Sequence, residues 1–285
     1  MKEYVIPRSE NDFFMPKHYA QLPALNQISS LLAIVLMGFL LIGFVQIPYQ
    51  VIEENIGGII LSIRIDFTLL ATIIVTMIIT IGSHSLMSSH PSHPQHNLWQ
   101  HSWFPALTCF ALLTILNQLP PRQLSWWVIF LLGGGLLTSI LLCEYISLEP
   151  QQKIPTWITL WLKLMGSISL LVLMISWYHA GTRLFILLPV MGLCYIAYTQ
   201  RMIGLHSGEN SFSSVSSAAL AATHFSAALF YWQFSPFRFG LFTVSFTYAL
   251  SVLLIRMKEG KFALQLMVEI IFWLVIVWGL ALWFI

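Results

Sequence analysis

Residues 157–178 read WITLWLKLMGSISLLVLMISWY, and the pattern of this stretch decides the fold. Lys163 is its single charged residue, and Trp and Tyr side chains lie at its two ends. About 20 mostly apolar residues are enough for an α-helix to cross the ~30 Å hydrocarbon core of a bilayer. The stretch is therefore predicted to be a transmembrane helix, with its aromatic residues at the membrane interfaces.

Similar apolar runs recur along the rest of the 285-residue chain. The predicted fold class is all-α, a polytopic transmembrane bundle of about nine helices. A polar N-terminal arm at 1–27 precedes a single transmembrane helical domain at 28–285. The nine predicted spans are 28–47, 66–86, 102–119, 124–143, 157–178, 183–200, 213–232, 237–255 and 263–284.

The composition supports this class and excludes others. Hydrophobic residues make up 58% of the chain and charged residues 8%, whereas a soluble domain carries roughly 25% charged residues. The net charge of +2 includes no basic stripe, which excludes a nucleic-acid-binding protein. Cys109, Cys143 and Cys194 lie inside apolar runs without CxxC spacing, so we expect buried thiols rather than disulfides.

The distribution of basic residues predicts the orientation. With the N-terminus inside, the inner segments carry eight Lys and Arg residues and the outer segments carry four. We therefore expect a multi-pass protein with its N-terminus inside and its C-terminus outside. The expected location is a bacterial cytoplasmic membrane, with another non-oxidising membrane as the alternative. The four outer residues are Arg64, Arg122, Arg183 and Arg238.

The segment 47–65 differs from the helical runs. A turn-like cluster of Glu, Asn and Gly at 53–58 is followed by Leu61, Ile63 and Ile65, which alternate with Ser62, Arg64 and Asp66. An alternation with period two favours a strand, so the segment is predicted to form a short β-hairpin on the outer side. The alternative is an early start of the second helix, which would bring Arg64 toward lipid.

Five ionisable residues lie in or at the ends of the predicted helices, where charge is costly, and are candidate functional charges. They are Asp66, Glu144, Lys163, Arg183 and Glu269. Asp66 either caps its helix or pairs with another residue. Arg183 lies at the positive N-terminal end of a helix, so it either contacts an outer acid such as Asp66 or Glu53 or reaches toward headgroup phosphate.

Glu144 lies at the C-terminal end of a helix, where its negative charge is unfavourable because that end of the helix dipole is also negative. We expect it to contact an inner cation, Arg201 or Lys163, unless it is a solvated residue at the loop edge. Lys163 and Glu269 lie at similar depths, each about seven residues inside its helix, so an ion pair between them is one interpretation. Separate contact of each residue with the interface is the other.

Two histidine features are candidate ligands. His224 lies near the middle of the seventh helix among Ser and Ala residues, which allow close helix contacts. That helix is therefore predicted to be central, and His224 is predicted to face protein. A hydrogen-bonded core residue is the favoured interpretation of His224, and a cofactor ligand is the alternative. His90, His93 and His96 in the sequence HPSHPQH are a weak metal motif, and a solvated inner loop is the favoured interpretation.

Several short motifs together resemble a known family. They are Asp66-Phe67, His90-Pro91, Trp103 with Pro105, Glu144-Tyr145, and Gly181-Thr182-Arg183 leading to Pro189. In these motifs the chain resembles an uncharacterised family of bacterial polytopic membrane proteins, known as a domain of unknown function, over roughly residues 60–205. The resemblance implies no activity and leaves the last three helices outside.

Three classes of function compete at this stage. A non-catalytic membrane scaffold or subunit of a larger complex fits the short loops, with the bilayer and other membrane subunits as partners and no cofactor expected. A transporter for a small or lipid-like solute is the alternative, because Gly133, Gly134 and Gly135 would allow a helix break at mid-membrane. A lipid-active enzyme is least supported, because neither a nucleophile–base pair nor a metal motif accompanies the histidine loop.

Overall fold

The computed structural model describes residues 25–45, 50–56, 59–65, 67–90, 98–148, 155–207, 212–258 and 264–284. The N-terminal arm predicted at 1–27 lies almost entirely outside these residues. Within the described residues the chain forms nine α-helices, one short 3₁₀ helix and two strands.

The nine α-helices correspond to the nine predicted apolar runs. A 3₁₀ helix, Leu98–Ser102, leads directly into the third of them. The helices are α1 (Leu25–Phe44), α2 (Phe67–Ser88), α3 (Trp103–Leu116), α4 (Leu124–Ile146), α5 (Thr156–His179), α6 (Leu184–Ser207), α7 (Phe212–Phe230), α8 (Pro236–Lys258) and α9 (Leu264–Phe284).

Six of these helices are long and apolar enough to cross a membrane, namely α1, α2, α4, α5, α6 and α8. This set is typical of a multi-pass membrane protein. The other three differ in length or composition: α3 has 14 residues, α7 is rich in serine, and the apolar part of α9 runs over Ile270–Trp283. Composition therefore supports six of the nine predicted spans.

Two strands lie between α1 and α2. β1 (Gln50–Ile56) and β2 (Ile59–Ile65) pair antiparallel, with Gln50 opposite Ile65 and Ile56 opposite Ile59. A two-residue connection is the shortest usual link between antiparallel strands. The side of the membrane on which these strands lie stays a prediction.

The short helix α3 lies between the two hydrophobic cores of the bundle. Phe104 and Leu107 on one face belong to a core shared with α4 to α9, and Cys109 and Leu113 on another face belong to a core shared with α1, α2 and α4. The prediction that the seventh helix is central is therefore wrong. Small residues bury only one face of α7, which packs against α6 and α8.

The helix break expected at 133–135 does not occur. α4 is continuous from Leu124 to Ile146, and Gly133 and Gly134 allow close packing instead. A Cβ atom on Gly133 would lie 2.7 Å from the side chain of Leu112, and one on Gly134 would lie 3.2 Å from Leu36. Gly135 faces open space, with nothing within 4 Å of such an atom.

The glycines provide a matched test of this packing. A Cβ atom on Gly166 of α5 would lie 2.7 Å from the ring of Phe104, which is 1% exposed and held in the core. Gly166→Ala is expected to lower the free energy of unfolding by about 1–3 kcal/mol, because an overpacked core must shift. Gly135→Ala is expected to be neutral or stabilising by about 0.5–1 kcal/mol, since alanine favours helix. Denaturant titration in detergent measures both, and equal effects would contradict this packing.

Candidate functional site

The centre of the candidate site is Glu144, in the last turn of α4. Its side chain is completely buried, and Arg201 near the end of α6 is 1% exposed. Arg201 Nε donates a hydrogen bond to Glu144 Oε1 at 2.8 Å, and Arg201 Nη2 donates to Glu144 Oε2. This two-point contact matches the planar guanidinium to the carboxylate. The predicted contact of Glu144 with Arg201 or Lys163 is confirmed for Arg201.

Two further residues complete the cluster. His101 lies in the 3₁₀ helix before α3 and is 7% exposed, and its Nδ1 is 3.1 Å from Glu144 Oε2. Ser147 follows α4 directly, and its Oγ accepts a hydrogen bond from Arg201 Nη2 at 3.0 Å. We call Glu144, Arg201, His101 and Ser147 the buried ion cluster. It joins the end of α4, the end of α6 and the start of α3.

The hydrogen bonds in the cluster fix the positions of its protons. Ser147 has one hydroxyl hydrogen, which it donates to the backbone carbonyl of Glu144 at 2.7 Å. His101 carries a proton on Nδ1, because the carboxylate oxygen of Glu144 can only accept. His101 Nδ1 is 3.3 Å from Ser147 Oγ but is engaged with Glu144. The pair therefore does not form the arrangement in which a histidine withdraws a proton from a serine nucleophile.

The protonation of His101 follows from its surroundings. Burial lowers the pKa of His101 below its usual value of 6.5, the positive charge of Arg201 lowers it further, and Glu144 raises it in part. The net direction is downward, so His101 is neutral at neutral pH. The opposite charges of Glu144 and Arg201 then compensate each other, as buried charges require.

His90, the first histidine after α2, lies beside this region. His90 is 5% exposed, and its ring centroid lies 4.6 Å from that of Tyr145, the neighbour of Glu144. The interpretation of the histidine loop as solvated is therefore wrong for His90, because an aromatic contact buries it. His93 and His96 lie outside the described residues. Among the described residues no group of three His, Cys, Asp or Glu side chains is placed to hold a metal ion.

The other predicted charges lie apart from the cluster. Lys163 on α5 is partly buried, and its Nζ is 3.2 Å from His206 Nε2. Glu269 belongs to α9, but its side chain is outside the described part of the chain, so the predicted pair with Lys163 stays a prediction. Arg183 is exposed just before α6. Its predicted partners are Asp66 and Glu53. Asp66 lies outside the described residues, and the side chain of Glu53 also lies outside them.

The prediction that His224 is a core residue of this chain is wrong. The side chain of His224 is exposed on α7, and its Nδ1 donates to the carbonyl of Leu220 on the same helix at 2.8 Å. The buried face of α7 instead consists of residues such as Ala218, Ala222 and Ser226. Those small side chains make the close helix contact that the sequence indicated, and the helical period places His224 on the opposite side.

Sequence reasoning missed two members of the cluster, His101 and Ser147. His101 is one of four histidines between α2 and α3, and nothing in its local pattern separates it from the others. Its partner Glu144 lies 43 residues away in the chain, and Arg201 lies 57 residues beyond Glu144. Ser147 lies three residues after Glu144, just beyond the end of α4. A serine at this position is only a weak signal for a member of the cluster.

The comparison with known families assigns the chain to a group. A family model described as "Protein of unknown function (DUF5656)" matches residues 47–284. The chain belongs to this family. The match covers the whole buried ion cluster and also the last three helices, which the motif resemblance over 60–205 leaves out. Neither a curated protein nor a solved structure matches the chain.

The ion pair is expected to dominate local stability. Arg201→Met should lower the free energy of unfolding by about 3–5 kcal/mol, because it leaves a buried carboxylate without its counter-charge. The double variant Glu144→Leu/Arg201→Met should cost less than the sum of the two single variants. Arg183→Met, at an exposed arginine before the same helix, is the matched control and should change stability by less than about 0.5 kcal/mol. Equal losses at positions 201 and 183, in detergent-based unfolding titrations, would disprove the role of the pair.

The buried histidine predicts a dependence of stability on pH. Because the pKa of His101 is lower in the folded state than its usual 6.5, the unfolded chain binds the extra proton more readily. Stability should therefore be constant above about pH 7 and fall as the pH drops below 6.5, by at most about 1.4 kcal/mol per pH unit. His101→Gln should remove this contribution, and His224→Gln should keep it because His101 is retained. Thermal midpoints between pH 5 and 8 measure it, and a slope unchanged in His101→Gln would contradict the assignment.

Proposed function

We propose that the chain is a non-catalytic integral membrane scaffold or subunit of a larger membrane complex. The observation that carries this proposal is the exposed face of α7. Midway along it lies His224, flanked by small residues at helical spacing. Because α7 packs against the membrane-capable helices α6 and α8, this polar side chain would face hydrocarbon. We call Ser217, Ala221, His224 and Ala228 the α7 face.

The α7 face suits a transmembrane helix of another subunit. Small side chains let two helix backbones approach closely in a membrane, and polar side chains hydrogen-bond across such contacts. A polar residue within a membrane that meets only lipid is costly. His224 Nδ1 already donates to the carbonyl of Leu220, so in the neutral ring Nε2 is the acceptor. The partner helix would present a hydroxyl or indole N–H at this level.

The buried ion cluster also supports a structural role. Its charges compensate each other inside the packed protein, and its serine and histidine are both engaged with Glu144. A transport role is less well supported, because the continuous α4 removes the helix break that motivated it. In this role the cluster holds α4, α6 and the start of α3 in one arrangement. The outer faces of the bundle are then available for contact with other membrane proteins.

Site-specific photocrosslinking tests this function. A benzophenone amino acid at position 224, activated in native membranes, is expected to give a discrete product of the chain with a different membrane protein. Position 131 on α4 is the matched control, because Leu131 is 69% exposed, and it should give lipid adducts only. Adding Ala221→Leu should abolish the product at 224, because a larger side chain prevents close approach. A product of twice the chain mass, or the same pattern from positions 224 and 131, would refute the heteromeric scaffold.

A further inference from the structure

A cavity lies between α5, α8 and α9, away from the buried ion cluster and the α7 face. Its volume is about 670 Å³, within the range of small-molecule sites. Tyr248 and Ile168 on its walls are 43% and 41% exposed, so it is a groove open to the surroundings of the bundle. Most of the wall is aliphatic, with side chains such as Leu171, Val244, Val252, Leu274 and Val277.

The groove extends along α8. Lining residues recur on one face of that helix, from Leu241 through Val244, Tyr248 and Val252 to Arg256. At ~1.5 Å per residue this distance is about 22 Å. That length is about three quarters of the ~30 Å hydrocarbon core and exceeds the depth of one leaflet. A linear hydrocarbon chain fills such a space better than a compact solute does.

The two serine hydroxyls within the groove are already engaged by protein. Ser245 Oγ donates to the carbonyl of Phe242 at 3.0 Å and accepts a hydrogen bond from Trp278 Nε1 at 2.9 Å. Ser167 Oγ donates to the carbonyl of Lys163 at 2.8 Å and is 2.8 Å from the hydroxyl of Tyr198. Few hydrogen-bonding groups of the wall therefore need a partner in a bound molecule, and a hydrocarbon chain fits such a site.

Two basic residues lie at one end of the groove. Arg256 lines it there, and Lys163 lies one helical turn before Ser167, on the same side of α5. Lys163 Nζ is 3.2 Å from His206 Nε2. An anionic group at this end of the groove would interact favourably with both basic side chains.

We propose that the groove binds one acyl chain of an anionic glycerophospholipid of the surrounding bilayer. The chain lies along α8, and the headgroup phosphate lies at Arg256 and Lys163. The shape of the groove selects a linear chain, and the charge at its end selects an anionic headgroup. This binding site is independent of the partner contact at the α7 face and goes beyond the scaffold function.

Fluorescence quenching tests this site, because Trp278 donates its hydrogen bond to a residue of the groove wall. The purified full chain in neutral detergent is titrated with phosphatidylglycerol or phosphatidylcholine brominated in the middle of the acyl chain. Phosphatidylglycerol is expected to give saturable quenching with a half-saturation at least three-fold lower than that of phosphatidylcholine. Trp278→Phe, which keeps an aromatic ring, should remove the saturable component. Equal half-saturation for the two lipids would overturn the proposal.

Two variants separate chain binding from headgroup recognition. Val252→Phe narrows the groove and should abolish saturable quenching, whereas Leu193→Phe, at a site on α6 that is 66% exposed and outside the groove, should leave it unchanged. Arg256→Gln should raise the half-saturation of phosphatidylglycerol to that of phosphatidylcholine without loss of the signal. If Val252→Phe and Leu193→Phe quench alike, the lipid contact is with the general surface and the groove binds no specific lipid. The crosslinking result at position 224 is unaffected by either outcome.

Discussion

The arrangement of the bundle depends on the contact between Glu144 and Arg201. Two charges buried to 0% and 1% exposure lose their hydration, and each loss costs several kcal/mol that only a well-aligned partner offsets. The two-point geometry satisfies this requirement, and it does so between the ends of α4 and α6. A shift of either helix along its axis would separate the pair. The contact therefore constrains the register of these two helices in addition to their apolar packing.

The remaining helices follow from this fixed pair. His101 and Ser147 use the other hydrogen-bonding capacity of Glu144, which anchors the start of α3 to the same point. From there α3 runs between the two hydrophobic cores and contributes side chains to both. Local polar contacts thus position a helix whose faces then organise the apolar packing. The outer surfaces, namely the α7 face and the groove along α8, are consequences of that packing.

Much of the helical architecture follows from the sequence, because spanning a bilayer demands a length and an apolar composition that are visible residue by residue. The pairing of Glu144 was also predictable, since a carboxylate at the negative end of a helix needs a cation, and few cations lie on that side. The sequence could not predict that the partner would be Arg201 rather than Lys163, because the choice depends on which faces of α4, α5 and α6 meet. His224 was assigned to the wrong side for a related reason: small residues surround it on all sides of α7, so composition gives no direction. His101 carried no local signal, because its role comes from contacts made 43 residues away.

The shortness of α3 has a consequence for how the protein is made. Fourteen residues are too few to cross the hydrocarbon core alone, so this segment gives the insertion machinery a weak signal during synthesis. Its burial between two cores also means that its side chains find their final contacts only when helices on both sides are present. We therefore expect α3 to complete its packing only after α4, α5 and α6 have been synthesised.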